Sequence, residues 1–514
     1  MYSIPNSKFD YFCRMNNELK IHNSLSRSKE VFKPLESGYI GMYVCGPTVY
    51  SDVHLGNCRT FVSFDVVYRF LKYAGYKVRY VRNITDVGHL VGDADSNAED
   101  KISKKARQEK LEPMEVVQHY TNGFHKMMDI FNTLPPSIEP RATGHIVEQI
   151  EMVQQILDNG LAYEKNGSVY FDTAKFANEN EVYGKLSGRV IDDLISESRD
   201  NLKNQSEKKH PSDFAIWIKA DPTHLMRWNS PWSVGFPGWH LECSVMSTKY
   251  LGKTFDIHGG GNDLKFPHHE NEVAQNFGAC NCAPSNYWMH ANMLLMNGKK
   301  MSKSDDNSIT PQELFSGNSP HITKAYSPMA IRFFMLQSHY RSTLDLTDEA
   351  LKAAEKGFRR LMEGNKVLSE LVSTHKDGVA ALDAEINELI DQAIEHMYDD
   401  FGTPTALGKL FELVPKVNGL KDGHLSLAEI SGATLERLKT IFHDFIFDIF
   451  GLQDELEQSN GDGTLDGLMQ LVIDLRQNAR ATKDWGTSDK IRDGLAALQI
   501  QLKDGKDGTN WSKS

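Results

Sequence analysis

Gly38-Tyr39-Ile40-Gly41-Met42-Tyr43-Val44-Cys45 is an apolar run of buried-strand length, and Gly46-Pro47 breaks it. A helical pattern then starts near Leu55 and runs to Lys72, with Phe61, Phe64, Val67, Tyr68 and Leu71 on one face. Gly75 ends it, and Tyr76 to Thr85 reads as a second strand, alternating in part through Val78, Tyr80 and Ile84. Strand, loop, helix, strand is the unit of a parallel sheet, so the chain opens as an α/β, Rossmann-like domain. No G-x-G-x-x-G sits in the first turn, which argues against a dinucleotide site there.

That turn carries His54-Leu55-Gly56-Asn57 at the start of the helix. A helix N-terminus offers unpaired N–H groups and the positive end of a dipole, both suited to phosphate. Gly56 allows a ligand close to the backbone, and His54 can donate to a phosphate oxygen. The plainer reading is that His54 and Asn57 cap the helix. Far downstream the apolar run Tyr287 to Met296 reads as a strand, closed by Asn297-Gly298 and followed by Lys300-Met301-Ser302-Lys303-Ser304. Two lysines three apart on a loop suit a triphosphate, because they tighten as charge builds. A solvated basic turn has the same composition.

Between these segments, helices are expected at about 113–131 and 146–158, a short strand at 168–172, and a charged surface loop over 192–213. His258-Gly259-Gly260-Gly261 reads as a Gly-rich turn after a strand at 255–257, and 267–277 as a helix. On that helix His268 and Glu272 are four apart and share a face. With Cys45 and Cys243 they make two thiolates, an imidazole and a carboxylate, a set suited to zinc. Spacing by itself leaves open that the cysteines are core and the His/Glu pair is a surface pair. Beyond Ile322 the pattern is helical: 348–371, 386–401, 405–414, 428–450 and 465–479. The region ends in a polar stretch carrying Trp511.

The chain has 514 residues, room for about three domains. Hydrophobic and charged fractions of 40% and 25% are those of a globular protein, and no apolar run of ~18 residues is present to span a membrane. Met1 to Arg14 lacks an apolar signal core, so no export signal is expected. Six scattered cysteines argue for reduced thiols in a cytoplasmic protein. The net charge of -12 does not announce nucleic-acid binding, though a local basic face would suffice for it.

Several ordered segments together resemble the cysteinyl-tRNA synthetases, a family of class I aminoacyl-tRNA synthetases. They are Tyr43 to Tyr50, His54 to Asn57 at an H-I-G-H position, Gly238-Trp239-His240-Leu241-Glu242-Cys243, His258 to Gly261, Phe266 to Glu272, Lys300 to Ser304, Ala481 to Trp485 and Asp504 to Trp511. The resemblance implies an ATP-dependent cysteine–tRNA ligase acting through a cysteinyl-adenylate. It implies one zinc per chain on Cys45, Cys243, His268 and Glu272, which holds the substrate thiol. Thr85, Trp239 and His258 would line the cysteine pocket. His54, Gly56, Asn57, Lys300 and Lys303 would bind ATP with Mg²⁺, and His54, Lys300 and Lys303 would be catalytic. Partners would be tRNA(Cys), L-cysteine and ATP, with a monomeric chain and no membrane.

The implied fold is a Rossmann-like parallel-sheet catalytic domain over 1–322 with a connective insertion at about 113–230. It is followed by an all-helical C-terminal bundle, 323–455, for contact with the tRNA stem and anticodon, and then by a small anticodon-recognition region, 456–514. Three features depart from the family pattern: Asn57 for the last histidine of H-I-G-H, Asp305-Asp306 beside the phosphate loop, and an apparent insertion from Gly88 to Glu99. Competing readings are a ligase that passes activated cysteine to a small amine, a non-catalytic tRNA-binding relative, and a purely structural zinc site. The long helical region favours tRNA over the small amine.

Overall fold

The computed structural model describes residues 18–88, 101–189, 207–301, 307–373, 380–455, 463–498, 500–505 and 508–513. The readings placed on Lys303, on Asp305 and Asp306, on 89–99 and on most of 192–213 lie outside these residues. Two compact units divide the chain, 1–452 and 453–514.

The first unit begins with a hairpin, β1 (Lys20–Asn23) and β2 (Ser28–Val31), then β3 (Tyr39–Val44), α1 (Leu55–Tyr73) and β4 (Lys77–Arg82). β3 and β4 pair in parallel with Met42 opposite Tyr80, so the expected strand–helix–strand unit forms. Helices α2 (Lys101–Glu109), α3 (Pro113–Ile130) and α4 (Ile146–Asp158) follow. The insertion then builds β5 (Ala162–Lys165), β6 (Ser168–Phe171), α5 (Thr173–Glu179), β7 (Phe214–Lys219), β8 (Trp228–Asn229) and β9 (Val234–Pro237). Its five strands form a separate antiparallel sheet, ordered β5-β6-β7-β9-β8. The insertion has its own core of Val153, Ile156, Phe171 and Trp217, which reaches Leu241 and Val245 on the next helix.

The chain returns to the parallel sheet through α6 (Leu241–Leu251), β10 (Phe255–Gly261), α7 (His268–Cys280) and β11 (Ser285–Ala291). The sheet order is β11-β10-β3-β4, all parallel. Here the reading of 258–261 as a turn is corrected: His258 to Gly261 complete the central strand β10. The glycines serve packing, since a Cβ on Gly259 would lie 2.3 Å from the Phe64 ring and one on Gly260 2.8 Å from His269.

The apolar run 287–296 is likewise two strands, β11 and β12 (Leu294–Met296). The buried Arg59 guanidinium draws the carbonyls of Asn292 and Met293 toward α1 and bends the chain between them. β12, β13 (Lys299–Lys300) and a later strand form a small sheet. Then come α8 (Pro311–Ser316), α9 (Pro328–Leu336), β14 (Leu344–Leu346), α10 (Asp348–Glu370), α11 (Ala380–Tyr398), α12 (Thr403–Lys421) and α13 (Gly432–His443). Pro415 lies inside α12, so the helix expected to stop near 414 continues to Lys421. One π-helical turn, Asp444–Ile449, extends α13.

The second unit holds α14 (Gly463–Ala481), α15 (Trp485–Ala497), β15 (Ile500–Gly505) and β16 (Gly508–Lys513). This last region is part helix and part strand: β15 and β16 pair as an antiparallel hairpin, with Leu502 opposite Trp511. Met469, Leu495 and Ile500 are its buried core, with Trp511 packed against them.

Candidate active site and metal centre

The C-terminal ends of β3, β4 and β10 bring the sulfur, imidazole and carboxylate groups together. Cys45 follows β3, Cys243 lies in the first turn of α6, and His268 and Glu272 are one turn apart on α7; all four are buried. The sulfurs are 3.6 Å apart, and Cys45 Sγ is 3.7 Å from Glu272 Oε1. His268 Nε2 is 3.4 Å from Cys243 Sγ and 3.2 Å from Glu272 Oε1. Zn–S bonds of about 2.3 Å and Zn–N or Zn–O bonds of about 2.0–2.2 Å make a tetrahedron with edges of roughly 3.3–3.8 Å. The four donors therefore fit a zinc ion as they stand.

A second grouping shares Cys45 and Glu272 and adds His258 and His269. Its His258 Nε2 is 2.8 Å from Glu272 Oε2, a hydrogen-bond length with a proton between the atoms, and shorter than a ligand edge. His258 thus supports Glu272 from behind, as carboxylates around metals usually are supported. His240 does the same for His268, with their Nδ1 atoms 3.0 Å apart.

The electrostatics agree. Burial and the neighbouring Cys243 hold the Cys45 thiol well up. Burial also opposes ionisation of Cys243, but hydrogen bonding from Cys45 and the charge of His268 outweigh it and bring the thiol down to about 6. Glu272, though buried, is held at about 2 by His258 and His268. A buried cluster that already favours a thiolate and a carboxylate is prepared for a cation.

Thr85 is buried at the end of β4 and donates its hydroxyl hydrogen bond to Glu242 Oε1. Asn83 Nδ2 donates to Thr85 Oγ1 at 3.1 Å, while Asn83 Oδ1 accepts from Gly46 N at 2.8 Å. Trp239 lies against the His268 ring, with centroids 4.5 Å apart. His258 stands fully buried in β10, stacked on Trp288 at 4.4 Å.

The nucleotide candidates stand on a different part of the unit. His54 is the N-cap of α1: its Nδ1 accepts from Asn57 N at 3.2 Å, so the capping reading holds. In the neutral ring the proton then sits on Nε2. No acidic residue occupies the first turn of α1, which leaves the positive end of its dipole without a carboxylate of its own. Gly56 lies beneath the His54 ring, 3.0 Å from Nδ1 to where a Cβ would be. Lys300 is exposed at the end of β13, in register with Leu295. Asn307 Nδ2 donates to Lys300 O at 3.2 Å and ties residue 307 back to the end of β13.

The sequence reading missed Asn83, His240, Glu242 and Asn307, since each acts through another side chain and carries no spacing signal. His269, beside His268 in the same motif, was equally hidden: its Nε2 is 3.3 Å from Cys45 Sγ. The expectation of reduced thiols is corrected at one pair. Cys280 and Cys282 are disulfide-bonded, because Asn281 turns left-handed at the C-cap of α7 and brings their Cα atoms to 5.4 Å. Cys45, Cys58 and Cys243 are free and buried.

Residues 31–356 match the family described as tRNA synthetases class I (C) catalytic domain, and 392–453 match the DALR domain. The cysteine–tRNA ligase of Bacteroides thetaiotaomicron is 53% identical over 97% of this chain and 99% of its own length. That of Chlorobaculum tepidum is 48% identical over the same shares. This chain belongs to the cysteine–tRNA ligase family. In fold it resembles methionyl-tRNA synthetase of Mycobacterium tuberculosis bound by methionyl-adenylate. The TM-score there is 0.56 at 14% identity, over 81% of this chain and 92% of that one. The family is one of ligase enzymes with a class I catalytic domain, and among the described residues no helix is long and apolar enough to cross a membrane.

Proposed function

We propose that this chain ligates L-cysteine to tRNA(Cys) at the expense of ATP, in two steps. A carboxylate oxygen of cysteine attacks the α-phosphorus of ATP, and the bond to pyrophosphate breaks. A hydroxyl of the terminal adenosine of tRNA then attacks the acyl carbon, and AMP leaves. The observation that carries the reading is the buried Cys45–Cys243–His268–Glu272 cluster, with zinc-length edges, at the ends of the parallel strands.

Zinc bound there would supply a soft centre that favours a thiolate over a hydroxyl, which distinguishes cysteine from serine. A site built around a required polar partner discriminates far better than a fit of methylenes, so no editing domain is needed. Around it the chain's own groups set the pose. Asn83 and Glu242 fix the rotamer of Thr85, and Trp239 walls the His268 side. His54 and the N-terminal end of α1 meet the phosphates, which enter as the Mg²⁺ complex of ATP. Lys300, with Lys303, neutralises charge on the leaving pyrophosphate and the α-phosphoryl group. Positioning and electrostatics then carry most of the rate. The chain acts as a monomer in the cytoplasm on this reading.

ATP-dependent transfer of labelled cysteine to purified tRNA, repeated after zinc chelation, tests the proposal. Charging that stops on chelation and returns with zinc is the expected result. Cysteine-dependent pyrophosphate exchange without charging would point to a small-amine acceptor, and charging indifferent to metal removal would detach the cluster from substrate selection.

A further inference from the structure

Against α7 lies a cavity of about 510 Å³ that no step of the proposed reaction uses. Ligand pockets span roughly 300–1,000 Å³ and combine apolar walls with a few placed polar groups. Leu25, Val182, Val273 and Phe277 give the lining its apolar part, and Arg27 and Lys185 give it positive charge. Val273 and Phe277 are one turn apart on the helix that carries His268 and Glu272.

Among the described residues, no carboxylate pairs with the cations at this cavity. Among the described residues, no hydrogen bond or ion pair engages the side chains of Arg27, Lys185 or nearby Lys265. Burial, and then the charge of Arg27, hold the Lys265 amine below the ordinary lysine range, so the two sit close enough to repel. The local fold makes room for this arrangement. Arg27 adopts a left-handed backbone, φ 58°, at the tip of the β1–β2 hairpin. The Arg27 guanidinium passes over Gly188, where a Cβ would lie 2.2 Å from its Nη2. Unpaired like charges beside an apolar hollow cost stability until an anion arrives.

We propose that this cavity binds a small organic anion with an apolar body. Its carboxylate or phosphate-ester head lies on Arg27 and Lys185, and its apolar part lies against Val273 and Phe277. The guanidinium and ammonium give the head two charge-assisted contacts, and the apolar wall supplies the area that a bare inorganic anion lacks.

Calorimetric titration of the full-length chain with octanoate, octyl phosphate, octylammonium and inorganic phosphate tests this. Expected are saturable 1:1 binding of at least one octyl anion and none of octylammonium. The preferred anion identifies the head group. Arg27→Ala with Lys185→Ala should weaken that anion at least about tenfold, a loss of some 1.4 kcal/mol in binding. Val273→Trp should block it by filling the cavity. If Val273→Trp lowers the melting temperature, the double alanine variant at exposed positions carries the test. Failure of both octyl anions to saturate below about 1 mM, a limit near -4 kcal/mol, overturns the proposal. So does equal binding of octylammonium, or wild-type binding by the double variant. None of these readouts depends on aminoacylation, so this site and the ligase reading stand or fall separately.

Discussion

Gly46 follows Cys45 of the candidate metal site, and a Cβ there would fall 1.6 Å from the main-chain oxygen of Asn83, which directly follows β4 and cannot step aside. Gly144, in a one-turn helix, would meet nothing within 4 Å. Gly46→Ala should therefore cost more than about 3 kcal/mol or prevent folding, whereas Gly144→Ala should stay within about 0.5 kcal/mol; urea unfolding of both compares them. Glu272→Gln removes the charge that His258 and His268 both face. Metal analysis of that variant should find well under one zinc per chain, with wild type near one. A stoichiometric variant would remove Glu272 from the ligand set.

Among elements, α10 is anchored by its first residue. Asp348 accepts from Thr323 Oγ1 at 2.8 Å, from Tyr326 Oη at 2.6 Å and from Lys352 Nζ at 2.7 Å. Burial opposes its charge, but these donors prevail and hold the carboxyl well below the usual aspartate range. A depressed folded pKa means stability that is fully present above the unfolded value, about 3.9, and lost as pH falls through the folded one. Asp348→Asn should thus lose about 2–3 kcal/mol at pH 7, because charged acceptors are the strong ones. The gap to wild type should narrow only below about pH 4, as equilibrium unfolding across pH would show. An equal gap at every pH would mean that shape, not charge, sets the anchor. The α12 helix teaches the opposite lesson about local signals: Pro415 sits within it, where Leu413, Val414 and Val417 are buried. Packing of that face outweighs the roughly 3 kcal/mol propensity penalty of proline.

At the scale of the molecule, Asp65 on α1 is where the first unit is tied together. Its carboxylate meets Arg69 at 2.8 Å and the fully buried Arg332 of α9, and accepts from Leu134 N at 2.7 Å. Arg332 in turn donates to the carbonyls of Phe131 and Phe450. Removing one partner of such a cluster leaves a buried charge uncompensated, so Asp65→Ala should lose about 3–5 kcal/mol, read as a lowered urea midpoint. Every described residue of the candidate site lies in the unit 1–452, which has its own core. A chain ending at Leu452 should then keep cysteine-dependent pyrophosphate exchange within about twofold. Its kcat/KM for tRNA should fall at least about tenfold, or 1.4 kcal/mol. Loss of exchange in a folded truncation would show that the last 62 residues reach the first step.

By itself, the sequence determined the elements whose burial is periodic and whose ends are punctuated. The α1 helix between Pro47 and Gly75, the 146–158 helix, and the β3–α1–β4 unit all form where apolar spacing and breakers agree. The motifs also singled out Cys45, Cys243, His268 and Glu272, which the fold brings together, because their letters are spaced far apart but ordered. Tertiary structure decided what spacing has no means to encode. It made His258 to Gly261 a strand, because Phe64 and His269 press on a backbone that only glycine leaves open. It split 287–296 in two, because Arg59 from another element claims the carbonyls at the break. It added a hairpin to the helical end, since two short strands gain from pairing only once both are in place. And it placed Cys45, Cys243, His268 and Glu272 within zinc-ligand distance, since such distances are set by the sheet and helices beneath them, not by the 226 residues of chain between Cys45 and Glu272.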